Sequence, residues 1–283
     1  MPVAKSGRLP SGDYTLKAHR SYLFVPGDRP ERFDKACSTD AEVVILDLED
    51  AVAPENKGSA RQMVAKWLAQ PRSAPIMVRL NGVDTEWLDE DLASLRHAQL
   101  VGVMLPKTSS PKDIEYVAQR LGQAPVIALI ETAEGLMRAY DIARHERVLR
   151  LAFGSIDFQL ETGIQDDREA LLYARSQLVI HSRAAGVLPP VDGVCTSTND
   201  SALVLDESRY ARALGFTAKL CIHPSQIAPV HQGFAPTMEE LEWAQEILKA
   251  AQIAGTGAIR YQGKMVDLPV IERARQIVEQ RSR

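Results

Sequence analysis

Eight short apolar runs recur along this 283-residue chain, most of them separated by stretches with helical spacing, and that alternation limits the possible folds more than any other feature. The runs are YLFVPG from Tyr22, VVILDLED from Val43, IMVRLN from Ile76, VGVMLPK from Val101, VIALIET from Val126, VLRLAFGSID from Val148, VDGVC from Val191 and KLCIHP from Lys219. Each is rich in valine, isoleucine and leucine without strict polar alternation, as expected of parallel strands buried on both faces. Eight strand–helix units over about 200–250 residues form the pattern of a (β/α)8 barrel. The rival, a doubly wound open sheet, usually carries a glycine-rich turn after its first strand. Here that strand ends in VPGDRPER, which is not GxGxxG. The expected fold is therefore an α/β TIM barrel with a C-terminal helical extension.

The stretches between the runs read as amphipathic helices. ENKGSARQMVAKWLAQ places Ala60, Met63, Val64, Trp67 and Leu68 on one face. SPKDIEYVAQRL offers Ser110 as N-cap, Pro111 in the first turn and Asp113 near the positive end of the dipole, ahead of Ile114, Val117, Ala118 and Leu121. Gly186 and Gly215 are placed as C-caps. Three regions follow: a flexible lead-in over 1–20, the barrel over 21–233, and a helical arm over 234–283. A barrel does not need that arm, which is either packing decoration or a reach toward a neighbouring subunit.

The lead-in has no apolar signal-peptide core, and no apolar run approaches bilayer length, so a cytoplasmic protein with no membrane partner is expected. A formal net charge of −4 gives no basic excess for nucleic acid, and anionic substrates must be met by local arginine and lysine. Cys37, Cys195 and Cys221 are widely spaced, which argues against a structural zinc site and fits a reducing compartment; Cys195 and Cys221 read as strand-core residues.

Barrel active sites form at the C-terminal ends of the strands. The apolar runs end there in Asp47, Glu49 and Asp50, in Arg79 and Asn81, in Lys107, in Glu131 and Thr132, in Ser155 and Asp157, and in His223. Glu131 and Asp157 close consecutive strands, so they should be neighbours on the rim. Two hard oxygen ligands with room for water and substrate suit Mg²⁺, with Mn²⁺ as a substitute; otherwise each merely caps a helix or pairs with arginine. Arg79, in an apolar strand, needs an anionic partner. That partner is Asp47 or Glu49 in one reading, and a substrate carboxylate or developing oxyanion in the other. Backbone N–H groups at Gly154 and Ser155 could hold a carboxylate. His223 is a base, a hydrogen-bonding support or packing. Lys107 is a Schiff-base candidate, a solvated rim charge or an anion contact.

The segments SYLFVPGDRPERFDKA, VVILDLEDAV, MVRLNG, GVMLPK, LIETAEGL, AFGSIDF, AKLCIHPSQI and GKMVDLP together resemble the citrate lyase β-subunit and malyl-CoA or citramalyl-CoA lyase family of the aldolase superfamily. The resemblance runs from Ser21 into the tail. It implies that Glu131 and Asp157 are magnesium ligands and that Arg79 contacts substrate and enolate. It puts Phe24, Arg29 and Lys35 where the family holds the nucleotide end of coenzyme A, with Ile222 and His223 near the thioester. It makes Asp267, in GKMVDLP, an acid donated to a neighbouring subunit's pocket, and hence implies a homo-oligomer, a trimer or a multiple of one. Asp47 and Glu49 are left to support Arg79.

The implied activity is a magnesium-dependent carbon–carbon lyase that cleaves citramalyl-CoA or malyl-CoA to acetyl-CoA and pyruvate or glyoxylate. Three alternatives remain at this point: a citrate lyase β-subunit acting on a citryl carrier-protein thioester, a metal-free aldolase using Lys107, and a non-catalytic CoA-binding scaffold.

Overall fold

The computed structural model describes residues 19–96, 98–254, 259–261 and 264–281; residues 1–18 of the expected lead-in lie outside them. Eight parallel strands close into one barrel in chain order: β1 (Ser21–Pro26), β2 (Val43–Asp47), β3 (Ile76–Arg79), β4 (Gly102–Leu105), β5 (Val126–Ile130), β6 (Val148–Phe153), β7 (Leu188–Asp192) and β8 (Ala218–Cys221). Tyr22, Val43, Ile45, Met77, Met104, Ile127, Leu129, Ala152, Val191 and Leu220 fill the interior. The alternate residues, such as Val44, Leu46 and Val78, are just as buried. Because the two faces of each strand are covered, the runs read as continuously apolar.

The helix Pro111–Leu121 starts at the expected N-cap Ser110, which forms a capping box with Asp113, and the helices Leu172–Ala185 and Ser201–Leu214 stop at Gly186 and Gly215 in the left-handed conformation. In the helix Lys57–Leu68, Ala60, Val64 and Leu68 are buried, but Met63 is exposed. Trp67 lies half-buried, edge-on to Phe33, with the Arg72 guanidinium over its ring.

One strand is displaced from its expected place. β7 begins at Leu188, runs through Pro189 and Pro190, and ends at Asp192, so Cys195 lies past the strand rather than within it. Two prolines argue against a central strand because they cannot donate to a ladder. The β6–β7 pairing accommodates them with a register shift between Arg150 and Ala152. The Arg150 guanidinium then takes the carbonyls of Pro189 and Pro190, together with Thr217 Oγ1 at 2.8 Å and Tyr22 OH at 3.2 Å. Arg150 is fully buried and has the parity of Ala152, so it closes the interior on the N-terminal side.

Outside the barrel wall, Lys219 on β8 donates to Asp192 on β7 at 2.9 Å and pairs with Glu207 at 3.1 Å, while Arg175 holds the other Asp192 oxygen at 2.9 Å. Burial alone would raise the Asp192 carboxyl, but Lys219 and Arg175 outweigh it and hold the group below its ordinary range.

Packing divides the chain into residues 1–231 and 232–283. The second unit joins the helices Met238–Ala254 and Leu268–Arg281 to a hairpin of Ile259–Tyr261 and Lys264–Val266, around Leu241, Ala244, Ile247, Val266, Ala274 and Ile277. Among the described residues, no helix is long and apolar enough to cross a membrane.

The wall network yields a stability prediction. Lys219→Met removes the ammonium from half-buried Glu207 and from buried Asp192, which keeps only Arg175, and should cost about 3–5 kcal/mol in chemical denaturation at neutral pH. Asp192's contribution is present above the unfolded carboxylate range and is lost as pH falls through its depressed folded value. The gap between wild type and variant should therefore narrow in strong acid. Equal midpoints at pH 7 would show that the network contributes nothing to the fold.

Candidate active site

Strand pairing alone assembles the first part of the site. Asp47 and Arg79 close β2 and β3, and they are direct register partners. Their side chains meet in a fork, Nε to Oδ1 at 2.7 Å and Nη2 to Oδ2 at 2.6 Å. Nη1 reaches Glu49 at 3.0 Å and Asp50 at 3.3 Å, and the guanidinium carbon lies 4.7 Å from the centre of the Phe24 ring. Asp47 is fixed in turn by the N–H groups of Glu49 and Ala51. Burial opposes the charge on Arg79, yet Asp47, Glu49 and Asp50 outweigh it and raise its affinity for the proton. The salt-bridge reading of Arg79 is thus what the protein alone contains, and it involves Asp47, Glu49 and Asp50 together.

The second part comes from β5 and β6. Ile130 and Phe153 are register partners, so the next residues, Glu131 and Gly154, lie side by side at the rim. A Cβ on Gly154 would collide with Glu131 Oε2, so only glycine leaves room for that carboxylate. The Lys107 N–H donates to the other oxygen, Oε1, at 2.6 Å. Asp157 stands in the first turn of the helix Ser155–Thr162, immediately past β6. Ser155 is buried, and a Cβ on Gly193 would strike its hydroxyl.

Both parts line one cavity of about 350 Å³ at the C-terminal mouth of the barrel. Asp47, Asp50, Arg79, Glu131 and Asp157 form its polar wall; Phe24, Leu129, Phe153, Val194, Leu220 and Ile222 form its apolar wall. Among the described lining residues, four carboxylates face one guanidinium. The consequences appear in the proton affinities. Burial, with the charges of Asp157 and Glu49, pushes Glu131 up to about 8. Burial and Asp50 also raise Asp157, and burial pushes Glu49 up to about 7 against the pull of Arg79. Asp50 moves the other way: a hydrogen bond to Glu49, with Arg79 and Lys107, overcomes its burial.

This surplus of negative charge is what a divalent cation offsets. Among the described residues, no group of three His, Cys, Asp or Glu could hold a metal on its own. Two carboxylates that leave the other positions to water and substrate oxygens are the donor set of Mg²⁺ rather than of a zinc cage. The residues therefore fit the ion expected from the sequence.

The other expected residues lie elsewhere. His223 is exposed, and its Nδ1 engages Ser225 to cap the short turn Pro224–Gln226. Buried Gln226 binds the N–H groups of Ile222 and His223 and the carbonyls of Cys195 and Ser197, joining the loops after β7 and β8. Arg29 and Lys35 are exposed and do not line the cavity. Asp267 is exposed and caps the helix Leu268–Arg281, its carbonyl accepting from Val270 and Ile271. Sequence reasoning missed Lys57, which donates to the carbonyls of Leu48 and Glu49 at 2.8 and 2.7 Å and so anchors the loop behind Arg79. In a helical pattern it reads as one more solvated lysine.

The family model described as HpcH/HpaI aldolase/citrate lyase matches residues 20–224. The mitochondrial citramalyl-CoA lyase of Homo sapiens is 32% identical, over 95% of this chain and 89% of its own length. The citrate lyase subunit beta of Escherichia coli K12 is 34% identical, over 93% of each. The crystal structure of the protein CitE from Mycobacterium tuberculosis, in complex with magnesium, acetoacetate and coenzyme A, superposes with a TM-score of 0.85 at 34% identity, over 94% of this chain and 98% of that one.

The raised Glu131 carboxyl predicts a trade between function and stability. Its folded value of about 8 exceeds the ordinary 4.5, so ionising it opposes folding increasingly as pH rises through that window. In divalent-free buffer, Glu131→Gln should be more stable than wild type by roughly 2–4 kcal/mol at pH 9 and by little at pH 5. The check is denaturant unfolding at both pH values. A variant less stable at pH 9 would mean that the surrounding carboxylates do not burden Glu131.

Proposed function

The chain belongs to the HpcH/HpaI aldolase/citrate lyase family, and from that premise we propose that it is a magnesium-dependent carbon–carbon lyase cleaving citramalyl-CoA or malyl-CoA to acetyl-CoA and a 2-keto acid. The observation that carries this reading is the pair Glu131 and Asp157 beside the anchored Arg79 in one cavity. Glu131 and Asp157 would hold the ion, which when bound neutralises the substrate carboxylate and polarises the neighbouring oxygen. The Ser155 N–H, at the start of the helix Ser155–Thr162, would receive that carboxylate, whereas the Gly154 N–H expected to share in this is taken by the Ile130 carbonyl at 2.9 Å.

The residues of the chain then do the rest. As the hydroxyl proton passes to solvent water at the mouth of the barrel, the carbinol carbon becomes a carbonyl and its bond to the thioester's α-carbon breaks. The electron pair passes to that carbon as the enolate of acetyl-CoA. Arg79, held rigid by Asp47 and Glu49, stabilises the thioester oxyanion without having to reorganise. Asp267 of a neighbouring subunit would protonate the enolate carbon, which makes the helical arm over 234–283 functional and the protein a homo-oligomer, read as a trimer. Phe24 and Ile222 flank the thioester from the apolar wall, and exposed Arg29 and Lys35 meet the nucleotide phosphates, with His223 at the edge of that path. Three free cysteines suit a reducing compartment, and the cytoplasm is the compartment we assign.

A second reading, a citrate lyase β-subunit acting on a citryl carrier-protein thioester, is supported by the similarity to the Escherichia coli subunit. Dependence of cleavage on the carrier separates the two.

Two outcomes test the proposal. Purified protein should release acetyl-CoA and keto acid from citramalyl-CoA or malyl-CoA with Mg²⁺ and not with EDTA. Glu131→Gln and Asp157→Asn, while folded, should each lose more than about 100-fold in kcat/KM. Turnover that survives EDTA would bring forward Lys107 chemistry instead, and no turnover of either thioester would favour the carrier substrate. Separately, Asp267→Asn should lower kcat by about 10²–10⁴-fold. Mixing it with Arg79→Ala protomers should restore activity, because some pockets then combine an intact Arg79 with an intact Asp267 from its neighbour. No restoration after verified subunit exchange would place the acid within its own subunit.

A further inference from the structure

Lys107 is the non-glycine residue with a positive φ, 48°, among the described residues. A lysine has no intrinsic preference for that left-handed conformation, so its surroundings impose it. Two contacts converge on this residue. The backbone N–H donates to Glu131 Oε1 at 2.6 Å, and Nζ donates to Glu49 Oε1 at 3.2 Å. The other Glu49 oxygen lies 3.0 Å from Arg79 Nη1. The other Glu131 oxygen rests against Gly154, where a Cβ would displace it. One residue thus touches the carboxylate assigned to the metal and the carboxylate that steadies the arginine.

We propose that Lys107 is a positioning residue with two separable parts. Its backbone N–H, aimed by the left-handed turn and opposed by Gly154, fixes the Glu131 carboxylate for the divalent ion. Its ammonium holds Glu49, and through Glu49 it sets the guanidinium of Arg79 against the oxyanion. This rests on the reading of Glu131 as a metal ligand and Arg79 as the oxyanion contact. The division of labour follows from the atoms: a change of side chain leaves the N–H in place, whereas a Cβ at Gly154 moves Glu131 and leaves the ammonium in place. The half-exposed Lys107 ammonium has no acyl-CoA contact to make in this role, so substrate affinity is not its concern.

The test uses the full-length protein, with Mn²⁺ affinity measured by electron paramagnetic resonance beside steady-state kinetics and thermal melts. Lys107→Met should bind Mn²⁺ within about twofold of wild type, lose at least about tenfold in kcat and keep KM within about threefold. Lys107→Arg should recover most of that kcat, because a cation again reaches Glu49. Gly154→Ala should weaken Mn²⁺ binding by at least about tenfold. Wild-type kcat in Lys107→Met would overturn the ammonium part, and wild-type Mn²⁺ affinity in Gly154→Ala would overturn the Glu131 part. Equal losses of Mn²⁺ affinity in Lys107→Met and Gly154→Ala would overturn their separation. A wild type that cleaves no acyl-CoA would sink the activity reading instead, and the Mn²⁺ affinities would still decide how Glu131 is held.

Discussion

The fork between Asp47 and Arg79 is the constraint on which the site depends. It is set by strand register: the last residue of β2 faces the last residue of β3, and both side chains emerge into the mouth of the barrel. A guanidinium in such a place is expensive to bury without a partner and nearly immobile with one. Asp47 is locked by backbone N–H groups, and Glu49 sits on a loop anchored by Lys57. Arg79 therefore cannot swing toward a substrate as a surface arginine would. A substrate oxygen has to come to it, which suits the role we propose for Arg79, of meeting a charge that appears only during the reaction.

The other half of the site is built on the opposite principle. Asp47, Asp50, Glu131 and Asp157 crowd one cavity with a single lining arginine among the described residues, and Glu131 and Asp157 are pushed up as a result. In the protein alone this is an uncompensated cost, and nothing about the fold requires it. The barrel spends its buried charges differently where only stability is at stake. At Asp192, Lys219 and Arg175 every carboxylate has a cation and the acid is held down, not up. Pairing that is complete in the wall and incomplete in the mouth separates the charges that serve the fold from those we propose to serve the reaction.

The features legible in the sequence were those that leave a mark on residue type. Eight runs of valine, isoleucine and leucine mark eight strands because a parallel barrel buries both strand faces. Arg79, Glu131 and Asp157 stand out because each breaks such a run, or follows directly on one, at the rim. The displaced β7 shows the limit. Pro189 and Pro190 hid the strand, because their tolerance depends on Arg150 collecting the carbonyls from another strand, a contact no local pattern encodes. Lys57 and Gln226 were invisible for the same reason, since their partners are backbone atoms distant in sequence or on a different loop.

Backbone atoms explain most of what remained hidden in the site itself. Glu131 is positioned by an amide and by the absence of a side chain, from Lys107 and Gly154 respectively. Gly193 plays the same part for Ser155. A glycine in AFGSID reads as a tight turn or an anion nest, and its use here is different: it lets a carboxylate approach the next strand closely. A lysine in MLPK reads as a charge, although its conformation aims its N–H. Residue type tells which groups can do chemistry, whereas their placement is written in φ angles and in missing Cβ atoms. The rim of a barrel concentrates such features because each strand end must turn sharply into a loop while presenting a side chain inward. The positions that look least chemical there, a glycine after a strand or a lysine at a turn, are where the geometry of the carboxylates is decided.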